Sequence, residues 1–490
     1  MQPLTRYAVL VIVLALLPTA GAPAGATPMD AAGHRADSAV LDAPGLPGAA
    51  TSVTTALASK QRHLAQSAGL TTRVSVASDG TQANGRSTQP SISADGRFIA
   101  FVSEASNLTP GDTNGVADIF VHDRQTGQTT RVSVASDGTQ ANGPSEKPSI
   151  SADGRFVAFE STASNLVPGT TSRCGFLFFR SPCAHIYVHD RQTGQTTRVS
   201  VASDGTQATR ASGEPSISAD GRFVAFHSDA SNLAPGANGS IFIHDRQTGE
   251  TTRVPMTTDG AWTRSTETSA SISADGRFAV FDSSVAWNRN VCGARPRGLF
   301  CFDVFVHDRQ RGETRRISIA SDGAEVDGDS VEPSISANGR FVVIASKASN
   351  LAPGDTNQSW DIFVHDLQTG RTTRVSVASD GTEGDNSSWW KAPISADGRF
   401  VAFESGATNL VPGDTNRKVD IFVHDQRTGQ TTRVSIASDG SQSNGSSEWA
   451  SISADGRFVA FVSSASNLVP GDTNERQDIF VHDRQAARAR

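Results

Sequence analysis

The chain has 490 residues and a formal net charge of −7, with 43 Lys and Arg against 50 Asp and Glu. This acidic balance, without a basic stripe, argues against a nucleic-acid partner, because such partners select clustered positive charge. The length would suit two or three average domains, but a repeat architecture can use it as one.

The N-terminal residues predict export from the cytoplasm. One Arg precedes an apolar run of about ten residues, and small residues follow it, which is typical of a secretory signal peptide. We expect residues 1–26 to be removed, since cleavage after Ala22 would leave Pro23 at the first position. An uncleaved anchor is the alternative, although the run is short for a membrane span. Residues 27–68, rich in Ala, Gly, Pro and Ser, are predicted to form a flexible leader. The expected location is therefore extracellular or periplasmic.

Three phrases then recur along the chain: PSISADGRFVAF, DIFVHDRQTG and TTRVSVASDG. Long repeats of this kind, with Gly-rich turns between the phrases, are typical of solenoids and propellers. The Asp of the first phrase, replaced once by Asn, returns at Asp95, Asp153, Asp220, Asp275, Asn338, Asp397 and Asp455.

Each repeat predicts four β-strands, which we call a (PSIS), b (RFVAF), c (DIFVHD) and d (TTRVSVA). Strand b is apolar on both faces, so the sheet is expected to be covered on both sides. The small side chains of strand a suit the crowded position next to an axis, and Asp-Gly predicts a tight a–b turn. Seven such units predict an all-β, seven-bladed β-propeller over residues 69–485, followed by a tail at 486–490.

The order of the phrases predicts how the ring closes. The repeats begin with a d strand at 70–77 and end with a c strand at 478–483. The last blade is complete only if these two segments pair. Such closure removes free sheet edges, which otherwise invite aggregation.

The phrases SADGRFVAF and DIFVHDRQTG resemble the WD40-like PD40 repeats of the TolB-type propeller family. The usual form there is S-P-D-G-x-x-[IL]-A-F followed by D-I-[FY]-V-x-D, and Ala replaces the Pro in every copy of this chain. The resemblance covers the whole repeat region. It implies a propeller with a recognition role rather than a particular reaction, because propellers host many functions.

The copies differ most in their d–a and b–c loops, which share one face of a propeller, whereas the a–b turns hardly vary. Diversified loops on a rigid frame usually carry binding. The six Trp all lie in or at the end of these loops: Trp262, Trp287, Trp360, Trp389, Trp390 and Trp449. They either fill gaps beneath long loops or form a platform for a glycan, peptide or protein.

One of these Trp occupies a position that can be compared across all copies. Trp449 stands at the start of strand a, where the side chains are expected to rim the central channel. The aligned residues of the other copies are Gln89, Lys147, Glu214, Ser269, Glu332 and Lys391.

The four Cys form two similar segments, CGFLFFRSPC from Cys174 to Cys183 and CGARPRGLFC from Cys292 to Cys301. Each lies in a b–c insertion. In a secreted chain they predict two local disulfides, Cys174–Cys183 and Cys292–Cys301. A metal site is the alternative, but paired C-x2-C spacing does not occur.

Four b–c loops contain GDTN followed by an Asp, and oxygen atoms at alternate positions are the ligands that Ca²⁺ loops use. The alternative is an Asx turn leading into strand c. Calcium is the one cofactor considered. Its candidate ligands are Asp112, Asn114, Asp118, Asp355, Asn357, Asp361, Asp414, Asn416, Asp420, Asp472, Asn474 and Asp478.

Seven His–Asp pairs in strand c suggest catalysis, but adjacent strand residues point to opposite faces, so a packing role is expected. We therefore expect a secreted, non-catalytic propeller, without a membrane span after signal cleavage, that binds a glycan, peptide or protein. The candidate ligand-binding residues are Trp262, Trp360, Trp389, Trp390, Trp449, Arg180 and Arg295. The alternative is a polysaccharide lyase or glycoside hydrolase using Glu267, Asp329, Glu332 or His227, among which spacing selects no pair.

Overall fold

The computed structural model describes residues 69–170, 173–174, 181–234, 239–255, 269–285, 301–320 and 322–486. The predicted signal peptide and leader lie outside these ranges, as does most of the tail. In the described ranges the chain forms strands and turns. None of the described segments forms a helix long and apolar enough to cross a membrane.

Seven antiparallel sheets of four strands each form the blades, which confirms the predicted seven-bladed β-propeller. Blades 1 to 4 consist of β2 (Ser87–Ile92), β3 (Phe98–Ser103), β4 (Asp118–Asp123) and β5 (Gln128–Arg131); β6 (Ser145–Ile150), β7 (Phe156–Ser161), β10 (His185–Asp190) and β11 (Gln195–Arg198); β12 (Ser212–Ile217), β13 (Phe223–Ser228), β14 (Ser240–Asp245) and β15 (Thr251–Arg253); and β16 (Ala270–Ile272), β17 (Phe278–Val285), β18 (Cys301–Asp308) and β19 (Glu313–Arg316).

Blades 5 to 7 consist of β20 (Ser330–Ile335), β21 (Phe341–Ser346), β22 (Asp361–Asp366) and β23 (Thr372–Arg374); β24 (Ser388–Trp389), β25 (Phe400–Ser405), β26 (Asp420–Asp425) and β27 (Gln430–Arg433); and β28 (Ser447–Ile452), β29 (Phe458–Ser463), β30 (Asp478–Asp483) and β1 (Leu70–Arg73). A separate two-stranded ribbon pairs β8 (Arg173–Cys174) with β9 (Ser181–Pro182).

The N-terminal strand closes the ring, as predicted. β1 pairs antiparallel with β30, with Leu70 opposite Asp483 and Arg73 opposite Phe480. The contact continues beyond the strand, where the Val74 N–H donates to the carbonyl of Ile479 at 2.9 Å. The seventh blade therefore joins the two ends of the described chain.

Strand a of each blade bonds directly to strand a of the next. At the a–b turn, a backbone N–H donates to the carbonyl of the following blade, at 2.9–3.2 Å, and the seventh bond returns to the first blade. The residues of this circle are Ala94, Ala152, Ala219, Ala274, Ala337, Asn338, Ala396 and Ala454. Proline has no N–H to donate. In six of the seven turns the Ala that replaces the usual Pro of the repeat thus supplies a bond that Pro could not, and in blade 5 Asn338 is the donor.

A Phe at the start of each strand b fills the space between blades. The ring of Phe98 stands 2.2 Å from where a Cβ on Gly154 of the next a–b turn would lie, and Gly154 has a φ of +72°. Glycine is thus required there both by its backbone conformation and by the aromatic ring. Arg191 of the next blade covers the same ring, with its guanidinium carbon 4.4 Å from the ring centroid. Arginine therefore packs between blades as well as carrying charge.

The apolar core is divided among the blade boundaries. Each boundary holds buried side chains drawn mainly from strands b and c of two neighbouring blades; Phe101 and Phe120 of blade 1, for example, pack with Val462 and Val481 of blade 7. The other boundaries repeat this arrangement. At the boundary of blades 4 and 5 these side chains form two clusters. Both faces of the inner sheets are therefore buried, as the apolar strand b predicts.

Closure can be tested by removing the strand that provides it. A variant lacking residues 69–78 in addition to the leader should lose several kcal/mol of unfolding free energy, at about 1 kcal/mol per lost hydrogen bond plus the burial of Val74. The measurement is denaturant unfolding, with a variant that begins at Gly69 as the control. Equal stability of the two variants would contradict closure by β1.

Candidate functional site

The sheets are antiparallel, so strands a and c begin at the same end of every blade, next to the d–a and b–c loops. At that end strand a contains a bulge in blades 1, 2, 3, 5 and 7. One residue of each bulge, and Trp390 of blade 6, has a left-handed backbone, with φ between 52° and 65°. We call these residues the rim: Gln89, Lys147, Glu214, Glu332, Trp390 and Trp449. Left-handed backbone is uncommon outside Gly, so the frame imposes it regardless of residue type.

The prediction for the rim of blade 6 was wrong by one residue. Alignment to the a–b turn assigns Lys391, whereas the left-handed residue is Trp390. The reason is one extra residue in this strand, since Ser388 and Ile394 occupy the places that Ser87 and Ile92 hold in blade 1. Two neighbouring blades therefore present Trp at the rim.

These two Trp are the most exposed of those the structure describes. Trp390 is 57% exposed and Trp449 is 41% exposed. Trp360 instead packs against the core cluster between blades 5 and 6, and Trp389 is half-buried. The packing interpretation therefore fits Trp360. The candidates Trp262, Arg180 and Arg295 lie outside the described residues.

The fifth residue of strand b lies behind the rim, and in blades 2 and 6 its side chain accepts a hydrogen bond from a rim N–H. Glu160 accepts from the N–H of Glu214 at 3.2 Å, and Glu404 accepts from the N–H of Trp449 at 2.9 Å. In each case the acceptor belongs to the preceding blade. The equivalent residues are Val102, Glu160, His227, Asp282, Ala345, Glu404 and Val462. An acid in this otherwise apolar strand is the sequence feature that marks this position, and the candidate list based on loop residues does not include it.

Burial dominates the electrostatics of these acids. It raises the pKa of Glu160 to about 7, although Lys147 opposes the shift. It raises the pKa of Glu404 to about 8, with the nearby charge of Glu448 adding to the shift. Asp282 also rises to a pKa of about 8, through burial and the charge of Glu332. Behind the rim, Glu404 and Asp282 are therefore mostly protonated at neutral pH, and Glu160 titrates close to it.

Basic side chains accompany part of this rim. Lys147 forms an ion pair with Glu214 and lies 4.0 Å from the Glu160 carboxylate. The charge of Lys391 opposes the burial that raises the pKa of Glu332. Blades 2, 3 and 5 thus combine acids with nearby Lys.

The residues considered for catalysis are dispersed. The side chain of His227 is largely buried and lies 3.9 Å from the Asp229 carboxylate. Asp329 accepts a hydrogen bond from the N–H of Phe302 at 3.2 Å. Glu332 belongs to the rim, and Glu267 lies outside the described residues. Within the described part of the chain, the contacts join none of these candidates to another.

The His–Asp pairs of strand c have structural contacts. Each His shares a hydrogen bond of 2.8–2.9 Å with a Thr of strand d. In blade 1, the hydroxyl of that Thr129 donates to the carbonyl of Val76 in the preceding blade at 2.5 Å. Burial lowers the pKa of His122 to about 4, so it stays neutral. The adjacent Asp123 accepts two hydrogen bonds from Arg97 at 2.7 and 2.8 Å. These contacts agree with the packing role expected for the pairs.

The GDTN loops form Asx turns. In blade 1 the Asn114 side-chain oxygen accepts from the N–H of Val116 at 3.1 Å, and its amide donates to Asp118 at 2.9 Å. The other three loops repeat the turn. An Arg of strand d, Arg131 in blade 1, lies 3.3 Å from Asp112 and 3.7 Å from Asp118. Equivalent Arg occupy the other three loops. In each loop a guanidinium group thus lies beside both Asp carboxylates. Calcium binding by these loops stays a prediction.

The predicted disulfides also stay predictions. Cys292 lies outside the described residues, and Cys183 is buried. The backbone of Cys174 is opposite Ser181 in the β8–β9 ribbon, which brings the two halves of this insertion together. This arrangement is compatible with a local link.

These contacts predict how the melting temperature depends on calcium. A ligand that binds only the native state raises stability by mass action. Because Arg131 and its equivalents already occupy the space beside the carboxylates, we expect the same melting temperature in EDTA and in millimolar Ca²⁺. Differential scanning fluorimetry measures this, with Mg²⁺ as the control. A rise specific to Ca²⁺ would show that the ion displaces the guanidinium.

Solved structures of other proteins are similar to this chain in their propeller fold. No family model and no curated protein matches the chain. Similar solved structures include TolB from Acinetobacter baumannii, with 15% identity and a TM-score of 0.37 over 71% of this chain and 63% of that one. A putative TolB from Agrobacterium tumefaciens has 16% identity and a TM-score of 0.38 over 64% and 87%. This chain spans less than two thirds of the Acinetobacter protein.

An oligogalacturonate lyase in complex with manganese has 12% identity and a TM-score of 0.50, over 84% of this chain and 92% of that one. At such identities the likeness extends to the propeller fold alone. Membership of the PD40 family stays a prediction.

Proposed function

We propose that this protein is a non-catalytic propeller that binds a ligand at its rim, on the face of the d–a and b–c loops. The observation that carries the proposal is the exposure of Trp390 and Trp449 at the same structural position of adjacent blades. Trp is enriched at binding hot spots because it buries a large, rigid surface when a ligand arrives.

Packing does not account for these two side chains. A Trp retained for packing is largely buried, as Phe101 and Phe403 are at the blade boundaries. The other described rim residues are Gln, Lys or Glu, so the frame itself does not require an aromatic residue there. Exposed indole rings on a fixed backbone favour contact with another molecule.

A binding role fits the dispersion of the catalytic candidates better than an enzymatic role. General acid–base catalysis needs two groups held around one reacting bond. Here the acids behind the rim belong to different blades, and each bonds to backbone N–H groups of the frame. The oligogalacturonate lyase shares the fold, but its activity does not transfer to this chain at 12% identity.

The location and the covalent links belong to the same proposal. The signal-like N-terminus supports binding outside the cytoplasm, after cleavage behind Ala26. In that compartment the local pairs Cys174–Cys183 and Cys292–Cys301 would form and would fix the two longest b–c insertions.

Substitution of the rim Trp tests the proposal. Glycan and peptide arrays probed with the labelled protein identify a bound compound, and its affinity is then measured for Trp390→Ala and Trp449→Ala. Each substitution should weaken binding by about 1–3 kcal/mol, the usual contribution of a stacked aromatic, with little change in melting temperature.

Trp360→Ala is the matched control, because Trp360 packs against the core. That variant should lower stability and leave the affinity of the folded protein unchanged. The proposal is wrong if the double variant of Trp390 and Trp449 binds as the unchanged protein does, or if both substitutions destabilise the fold as a core truncation would.

A further inference from the structure

The boundary between blades 6 and 7 places a buried acid beside the two exposed Trp of the rim. Glu404 is 4% exposed, and one of its oxygens accepts from the Trp449 N–H. The other oxygen, Oε1, is buried without a hydrogen-bond partner. Among the described residues, no Lys, Arg or His forms an ion pair with Glu404 or with its acidic neighbour Glu448.

Blade 2 has an acid at the same place, but with a cation beside it. Glu160 holds the same place in its strand b and also accepts a rim N–H. However, Lys147 lies 4.0 Å from its carboxylate and pairs with Glu214 as well. The acid of blade 2 thus has a cation in the chain, and the acid of blade 6 has none among the described residues.

Three Trp residues lie on or beside the strands next to the acid of blade 6. Trp389 is the cross-strand partner of Glu404, and such partners project from the same face of a sheet. Trp390 follows it at the rim, and the backbone of Trp449 bonds to the Glu404 carboxylate. One blade boundary therefore combines exposed indole rings with a buried carboxyl group.

A cation satisfies both kinds of group. An ammonium or guanidinium group is attracted to the face of an indole, most strongly for Trp, and it balances a carboxylate. A neutral sugar would use the indole faces but would not favour the ionised form of Glu404. Desolvated charge without a partner is costly, so the carboxyl group keeps its proton in the free protein, and a bound cation would favour its ionised form.

We propose that the boundary of blades 6 and 7 binds an organic cation, an ammonium or guanidinium group, with Trp390 and Trp449 supplying aromatic faces and Glu404 the counter-charge. This inference rests on the proposed binding function and specifies its ligand chemistry. The cation could belong to a free amine or to a Lys or Arg side chain of a peptide, and the chemistry of the site is the same for both.

The buried acid gives the binding a characteristic pH dependence. Burial and Glu448 raise the pKa of Glu404 to about 8, so the free protein holds a proton there at pH 7. A cation binds the ionised form. Affinity should therefore fall by about tenfold for each pH unit below the pKa of Glu404 and level off above it, since one pKa unit corresponds to a factor of ten.

The experiment uses calorimetry with three probes: choline, a tetralysine peptide and a neutral cello-oligosaccharide, each from about pH 6 to about pH 9. We expect a cationic probe to bind with the predicted pH slope. Comparison of the affinities for choline and tetralysine then distinguishes a site for a free cation from a site for a peptide side chain. Glu404→Gln should weaken cation binding about tenfold or more at the upper pH and remove the slope. Glu160→Gln, at the same place in blade 2, should preserve both.

The outcomes separate the inference from the function on which it rests. Binding of the oligosaccharide without the cations, lost in the Trp390→Ala and Trp449→Ala double variant, would overturn the cation inference and leave the rim function intact. Failure of both cationic probes to bind also overturns the inference. The pH profile of the unchanged protein needs no variant, so a flat profile contradicts the inference even if Glu404→Gln does not fold.

Discussion

The pairing of β1 with β30 is the contact on which the rest of this propeller depends. Blades 1 to 6 take their four strands from consecutive segments, but blade 7 takes three from the C-terminal segment and one from the N-terminal segment. With that strand in place, the hydrogen bonds between a–b turns form a closed circle through Ala94 and Ala454. A closed circle holds the strand a of every blade at a fixed distance from the next, and the rim inherits this rigidity.

A rigid frame with repeated parts can vary single positions without disturbing its fold. The left-handed rim residue and the fifth residue of strand b are such positions, because their backbone bonds do not depend on the side chain. The chain places Lys and acids on blades 2 and 3, and Trp with an unpaired acid on blades 6 and 7. The side chains at these positions thus differ around the ring while the backbone geometry repeats, and this lets propellers recognise diverse ligands.

The fold could be predicted from the sequence because its determinants are local and repeated. The Asp-Gly turns, the apolar strands b and c and the order of the strands specify the blades and their closure. The site could be predicted only in part, because its determinants lie between blades. Glu404 acquires its role from the N–H of Trp449, 45 residues later, and sequence patterns within one blade do not reveal that contact. The extra residue before Ile394 likewise moved the rim of blade 6 from Lys391 to Trp390.

Hydrogen exchange with mass spectrometry, with and without bound tetralysine, locates binding on the frame. We expect protection to increase in peptides covering 386–392 and 446–452, including the Trp449 N–H, and peptides covering the a–b turns of 93–97 and 151–155 to be unchanged. Protection confined to the a–b turns, on the opposite face, would contradict binding at the rim.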